Sequence, residues 1–257
     1  MTSADMVLFR KSRGLFWGAL VAVVIGLPVV IVSILVVPSA LGMYSAATQA
    51  EVGTATKVIV DGVGFLTIFG AIVAILLGAT AGSVDHQRGV IRDLVLAGRP
   101  RWRIVLGRLL AASAWLIIAV AVCIALLVVL AITMAPVDGD MDWGEIGRTV
   151  AALGPWLLTA LVFGSGIAML IGTRGPAIGI YLAFVFILDQ ILVVIPKIGP
   201  VWEHMSYFLA QGQTIEWISG TGGTGFAHSN TVALLVLIAW GVIPFTLGVI
   251  RLSNRDL

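Results

Sequence analysis

Six long apolar runs constrain this chain more than any other feature of its sequence. A helix of about 20 apolar residues crosses the hydrocarbon core of a bilayer, and in lipid the backbone must satisfy its own hydrogen bonds. The alternating pattern of a barrel strand is not found in the runs. The sequence therefore predicts an all-α membrane protein with six transmembrane helices. The predicted spans are Leu15–Val37, Val60–Gly82, Ile104–Met134, Thr149–Gly172, Ala177–Ile195 and Thr231–Ile250.

Charged residues are too few to cover a water-facing surface. They make up 11% of the 257 residues, whereas soluble domains carry about 25%. Six spans use roughly half of the chain, and what remains suffices for short loops but not for a separate soluble domain. We therefore expect one membrane domain over residues 1–257, with the lipid bilayer as its surroundings. The net charge of +2 is too small to indicate a nucleic acid partner.

The basic residues lie mostly on one side of the predicted membrane. With the N-terminus in the cytoplasm, 12 of the 15 basic residues fall in cytoplasmic segments. Because cytoplasmic loops carry an excess of Lys and Arg, this bias predicts that both termini are cytoplasmic. The first run is too long for the apolar part of a signal peptide, so we expect it to remain as an uncleaved span. The third run is overlong, and its first turn, through Arg108, is expected to project into the cytosol.

The longest cytoplasmic link, residues 84–108, combines arginines with an apolar stripe. Each arginine would cost about 2.5–3.5 kcal/mol at the centre of a bilayer, so the link must be cytosolic. Gly98 and Pro100 end a helical pattern, which predicts a short amphipathic helix. That helix would lie on the inner leaflet or bind a groove on a cytosolic partner, and the residues alone leave both uses open. The apolar residues at helical spacing are Val90, Ile91, Leu94 and Val95.

The same link resembles the segment between the second and third spans of ABC type-2 transporter permeases. Those proteins commonly show an acidic residue, a Gly four residues later, a Leu-rich turn, Pro-Arg, and a helix start similar to Gly-Lys-Leu-Leu. This chain has Asp85, Val90 and Arg108 where Glu, Thr and Lys are usual. In the number of spans and the cytosolic position of both ends, the resemblance covers nearly the whole chain. The matching residues are Asp85, Gly89, Leu94, Val95, Leu96, Pro100, Arg101 and Gly107-Arg108-Leu109-Leu110.

The resemblance implies that residues 85–101 form a coupling helix that receives the movement of a separate ATP-binding cassette ATPase subunit. It also implies a second transmembrane subunit, either a copy of this chain or a related one, and export by alternating access. The expected location is the cytoplasmic membrane of a bacterium or archaeon. The residues expected to contact the ATPase are Asp85, Arg88, Gly89, Val90, Arg92, Asp93, Leu94, Val95 and Arg101.

The sequence offers no catalytic centre of its own. A Walker A loop requires a Gly-Lys pair, which this sequence lacks, and the Gly-rich run 220–225 contains no lysine. His86, His204 and His228 all fall in predicted loops, so Ser165 has no histidine base in a span and is interpreted as a small packing residue. We therefore expect ATP and Mg²⁺ on the partner ATPase, and no cofactor, metal or catalytic residue in this chain.

Asp189 and Gln190 form the polar feature of the fifth predicted span. An ionisable residue inside a membrane is a functional-site hypothesis, which here places the pair on a translocation path. The alternative is a carboxylate near the outer boundary, either solvated or paired with Lys197. The outer segment between the fifth and sixth spans carries apolar residues at helical spacing, which predicts an amphipathic or re-entrant structure.

Glycine, proline and tryptophan residues give further expectations for the structure of the spans. Glycine pairs four residues apart allow helix backbones to approach closely, either within this chain or between subunits. Prolines inside the spans are expected to kink them. Tryptophans near the span ends are expected at the membrane–water interface. These residues are the pairs Gly14/Gly18, Gly78/Gly82 and Gly175/Gly179, then Pro28, Pro155 and Pro244, and Trp17, Trp102, Trp156 and Trp202.

Two other classes of protein remain open on the sequence. A self-contained secondary carrier or channel usually holds several buried ionisable groups, whereas Asp189 is the one firm case here. A membrane scaffold or immunity-type protein that transports nothing would need no ATPase. Co-purification separates these classes, because only the exporter subunit should bring an ATPase with it.

Overall fold

The computed structural model describes residues 55–88, 101–134, 141–183 and 230–254, and within these ranges every regular element is an α-helix. The first predicted span, most of the fifth, and the outer segment before the sixth lie outside the described residues. The helices are α1 (Ala55–Arg88), α2 (Arg101–Met134), α3 (Trp143–Ile171), α4 (Arg174–Ala183) and α5 (Asn230–Ser253).

Four of the helices contain stretches long and apolar enough to cross a membrane. They correspond to the second, third, fourth and sixth predicted spans, so the prediction of apolar membrane helices is confirmed for these four. The fifth predicted span begins with α4, which starts at Arg174 rather than Ala177. The stretches are Gly62–Ser83, Arg103–Val129, Trp143–Ile171 and Leu234–Ser253.

Helices α1 and α2 are longer than the membrane is thick. Each contains 34 residues, which at 1.5 Å per residue corresponds to about 51 Å. The hydrocarbon core of a bilayer measures about 30 Å. Both helices therefore extend beyond it, and the overlong third run is one continuous helix from Arg101 to Met134.

Helices α1 and α3 run parallel. Near their N-terminal ends, the Asp142 backbone N–H donates a hydrogen bond to Thr56 Oγ1 at 3.0 Å. About three to four turns further along, the Trp156 indole N–H donates to the Thr67 carbonyl oxygen at 2.8 Å. Trp156, expected at the membrane–water interface, is instead buried between the two helices. Both helices therefore begin at the same end of the bundle.

Asp142 also determines where α3 begins. Its Oδ1 accepts hydrogen bonds from the backbone N–H groups of Gly144 at 2.8 Å and Glu145 at 3.1 Å. This is the N-cap arrangement, in which a side chain satisfies backbone donors that have no partner within the helix. The carboxylate of Asp142 thus has a structural role at the N-terminus of α3.

Helix α3 is central, because the other long helices pack around it. Helix α5 lies parallel to it, and the Thr159 hydroxyl donates to the Leu237 carbonyl oxygen at 3.2 Å. Helix α2 runs antiparallel to α1, since Leu127, near the end of α2, packs against Leu66 near the start of α1. The helices α1, α3 and α5 consequently end where α2 begins.

The closest approach in the bundle joins α1 to α3 through glycine. A Cβ atom added to Gly78 would overlap the carbonyl oxygen of Leu161, and one added to Gly82 would overlap that of Ser165. Both obstacles are backbone atoms, so no side chain rotation can relieve the overlap. The spacing of Gly78 and Gly82 therefore serves packing within the chain, which is one of the two uses that the sequence left open.

The other predicted glycine pairs differ. Gly175 and Gly179 have no other heavy atom within 4 Å of an added Cβ, so they make no close helix contact in the described part of the chain. Gly14 and Gly18 lie outside the described residues.

A second close approach joins α3 to α5. An added Cβ at Gly166 would lie 2.7 Å from the Pro244 carbonyl oxygen, and one at Gly248 would lie 2.8 Å from the Gly166 carbonyl oxygen. Pro244 lies inside α5 and Pro155 inside α3, as the sequence predicted. The contact of α3 with both neighbours thus depends on positions that tolerate no side chain.

Replacing Gly78 or Gly82 by valine should destabilise the folded bundle without preventing its insertion into the membrane. Overpacking against a rigid backbone typically costs about 1–3 kcal/mol, and we expect at least the upper part of that range here. The measurement is the midpoint of thermal unfolding in detergent micelles. Gly64→Val is the matched control, because an added Cβ there meets nothing within 4 Å. Equal midpoints for the Gly64 and Gly78 variants would contradict the close backbone contact.

Candidate functional site

The predicted coupling segment connects the end of α1 to the start of α2. The backbone of Asp85 and Arg88 forms the last turn of α1, and Arg101 is the first residue of α2. The structure thus places these three predicted residues on the ends of two long helices. The remaining predicted contacts lie outside the described residues: Gly89, Val90, Arg92, Asp93, Leu94 and Val95.

The structure does not describe the two residues predicted to line the translocation path. Asp189 and Gln190 follow α4, which the structure describes to Ala183, and both lie outside the described residues. Their role stays a prediction.

An apolar cluster holds the start of α2 against the ends of α3 and α5. Val105, Met169 and Leu252 are buried together, and Phe245 and Val249 pack against them. Each of the three buried residues comes from a different helix. The cluster therefore ties the segment that follows the predicted coupling link to two of the helices that end nearby.

Arg108 lies one turn beyond Val105 on the same face of α2, and its side chain is only 8% exposed. The expectation that the first turn of α2, through Arg108, projects into the cytosol stays a prediction, but the Arg108 side chain itself is buried against protein and not exposed to water. The sequence pattern contains the signal, since Val105, Arg108, Ala112 and Leu116 recur at helical spacing and are all buried.

The connection between α3 and α4 is very short. Gly172 adopts the left-handed conformation with φ of 88°, and its backbone N–H donates to the Ala168 carbonyl oxygen at 2.8 Å. Only Gly172 and Thr173 separate the two helices. A C-cap of this kind favours glycine, and it reverses the chain without a projection at this end of the bundle.

Ser165 has the packing role that the sequence predicted. It is fully buried, its hydroxyl donates to the Val162 carbonyl oxygen at 2.8 Å, and its own carbonyl oxygen faces Gly82. Across the described ranges, no group of three or more His, Cys, Asp or Glu side chains could hold a metal ion.

Charges and apolar surface are distributed as a bilayer requires. Among the described residues, six of the eight basic ones belong to the end of the bundle where α1, α3 and α5 finish: Arg88, Arg101, Arg103, Arg108, Arg174 and Arg251. Along α2 and α5, large apolar side chains are exposed, among them Ile117, Val122, Val129, Leu235, Val242 and Leu247. An apolar outer surface of this extent suits lipid rather than water.

These features define a multi-pass helical membrane protein. The chain belongs to the ABC-2 transporter family, since it matches the family described as ABC-2 family transporter protein over residues 8–257. It is therefore the membrane component of a transporter of the ATP-binding cassette type, a class that works with ATPase subunits. No curated protein matches the chain.

Truncating Met169 to alanine should loosen the junction of α2, α3 and α5. Met169 is 1% exposed, so the substitution leaves a cavity, which we expect to lower the free energy of unfolding by about 2 kcal/mol. Thermal unfolding in detergent measures the effect. Ile171→Ala is the control, because Ile171 is 37% exposed and should cost much less. A Met169 variant as stable as this control would contradict the packing described here.

Proposed function

We propose that this chain is the permease subunit of an ATP-driven exporter, with a single membrane domain of six spans over residues 1–257 and both termini in the cytoplasm. The observation that carries the proposal is the family match over residues 8–257. Support comes from the charge distribution, because basic residues favour the cytoplasmic side of a membrane. The membrane would be the cytoplasmic membrane of a bacterium or archaeon.

The link between α1 and α2 is the proposed contact with the ATPase. It follows a 34-residue helix and precedes another of the same length, so a displacement of the link moves two rigid elements that extend through the membrane. Residues 85–101 would act as the coupling helix, with the stripe Val90, Leu94 and Val95 in a groove of the ATPase. The two-residue connection between α3 and α4 supports docking through one link, since it adds no second projection.

Transport would require a second membrane bundle beside this one. A second transmembrane subunit, identical or related, would complete a path between the two membrane domains, and Asp189 with Gln190 would line that path. ATP and Mg²⁺ would bind to the ATPase subunits. Closure of the ATPase pair would move the coupling helix and change the side of the membrane to which the path opens.

The orientation of the link can be tested by accessibility labelling. Cys123 is the only cysteine, so Cys123→Ala provides a background for single-cysteine variants. We expect Arg92→Cys to react with a membrane-impermeant maleimide in inside-out vesicles but not in intact cells. Glu145→Cys, at the exposed N-terminus of α3, should show the opposite pattern. Labelling of the Arg92 variant in intact cells would reject the proposed topology.

Leu94→Arg should abolish association with the ATPase while leaving membrane insertion intact. A charge on the apolar stripe would be buried unpaired in the docking groove, which is costly. The tagged chain is purified from its native membranes, and the associated ATPase is detected by mass spectrometry and ATP hydrolysis. Leu94→Met conserves the volume and should retain the ATPase. Normal co-purification with the Leu94→Arg variant would refute docking through this stripe.

A further inference from the structure

Arg108 is the one charged side chain that is buried among the residues the structure describes. A guanidinium carries five N–H donors and stays protonated, so its burial is costly unless acceptors surround it. In an exporter subunit, this burial at the start of α2 suggests a role beyond cytosolic charge.

The nearest described packing cluster on the face of α2 that carries Arg108 is formed with the ends of other helices. Val105, one turn earlier on the same face, packs with Met169 and Leu252. Met169 lies two residues before the end of α3, and Leu252 one residue before the end of α5. Arg108 therefore follows, one turn later on the same face, a residue that packs against the C-terminal turns of both helices.

Helix C-termini are suitable partners for a buried cation. The last four carbonyl groups of a helix have no partner within it, and the helix dipole places a partial negative charge there. In α3, the Gly172 N–H satisfies the Ala168 carbonyl oxygen, and in α5 the Asn254 N–H satisfies that of Ile250. The carbonyls that follow these two in each helix are acceptors that a donor from a neighbouring helix can reach.

We propose that Arg108 is a positioning residue that binds the C-terminal carbonyls of α3 and α5 and thereby fastens both helices to the start of α2. This inference rests on the proposed function, since it makes Arg108 the point where a displacement of the 85–101 link passes into α5. The apolar cluster of Val105, Met169 and Leu252 supplies packing at the same junction. Arg108 supplies the directional contact, which permits little sliding between the helices.

The test uses two reporters on the complex with its ATPase. In the Cys123→Ala background, an environment-sensitive fluorophore is attached at Leu110→Cys on α2 or at Ile250→Cys on α5, both exposed positions. In the parent, adding ATP with vanadate should shift the emission of both reporters. In Arg108→Leu, we expect the α2 reporter to keep its shift and the α5 reporter to lose it, with the ATPase still bound.

Two further substitutions of Arg108, and a control substitution of Arg148, distinguish a positioning role of Arg108 from an effect on the stability of the complex. Arg108→Lys should retain the α5 shift, because a cation still reaches the carbonyls, and Arg108→Gln should lose it. Arg148→Leu is the matched control: Arg148 is exposed near the start of α3, donates to the Gly144 carbonyl oxygen at 3.3 Å, and should leave both shifts unchanged. If Arg108→Leu does not yield a folded complex, Arg108→Gln decides the question.

A preserved α5 shift in the folded Arg108→Leu or Arg108→Gln complex would overturn the inference. Loss of the shift at both reporters would also overturn it, because Arg108 would then act on the link itself and not beyond it. If the parent chain co-purifies with no ATPase, that result differs from the two above, because it contradicts the proposed function itself.

Discussion

The contact between the backbones of α1 and α3 is the constraint on which the rest of the bundle depends. In lipid, helices gain little from hiding apolar surface, and close van der Waals packing must hold them together. Gly78 and Gly82 bring α1 against the carbonyl oxygens of Leu161 and Ser165, and any side chain there would separate the helices. Gly166 makes the same kind of close backbone contact with α5. Helix α3 is therefore held on two sides through positions that cannot change size.

Parallel packing of α1, α3 and α5 has a functional consequence. Because these helices all end where α2 begins, the predicted coupling link emerges beside the ends of α3 and α5. The junction of Val105, Met169 and Leu252 closes this end of the bundle with side chains from three helices. Under the proposed function, a push on the link would therefore act on an assembly of connected helices, which is what a membrane subunit driven from outside the bilayer requires.

Much of the fold could be predicted from hydropathy and glycine spacing, because both patterns follow from local requirements that the membrane places on a helix. Four spans, a close helix contact at Gly78 and Gly82, and the packing of Ser165 could be predicted in this way, whereas the glycine spacing left open whether that contact lies within the chain or between subunits. The burial of Arg108 was missed, because the cost of an arginine in lipid indicated a position in water, although its helical spacing with the buried residues Val105 and Ala112 contained the signal. Trp156 was placed at the membrane interface for a similar reason, yet its N–H donates to the Thr67 carbonyl oxygen within the bundle. The coupling residues between Arg88 and Arg101, and Asp189 in the proposed path, themselves lie outside the described residues.

Under the proposed function, this membrane bundle receives its energy from another polypeptide. The most direct measurement compares ATP hydrolysis by the chain purified alone with hydrolysis by the complex isolated under mild conditions, each reconstituted in lipid nanodiscs. We expect no hydrolysis by the chain alone and vanadate-sensitive hydrolysis by the complex. ATP hydrolysis by the homogeneous chain, or a complex that contains no ATPase, would contradict the account.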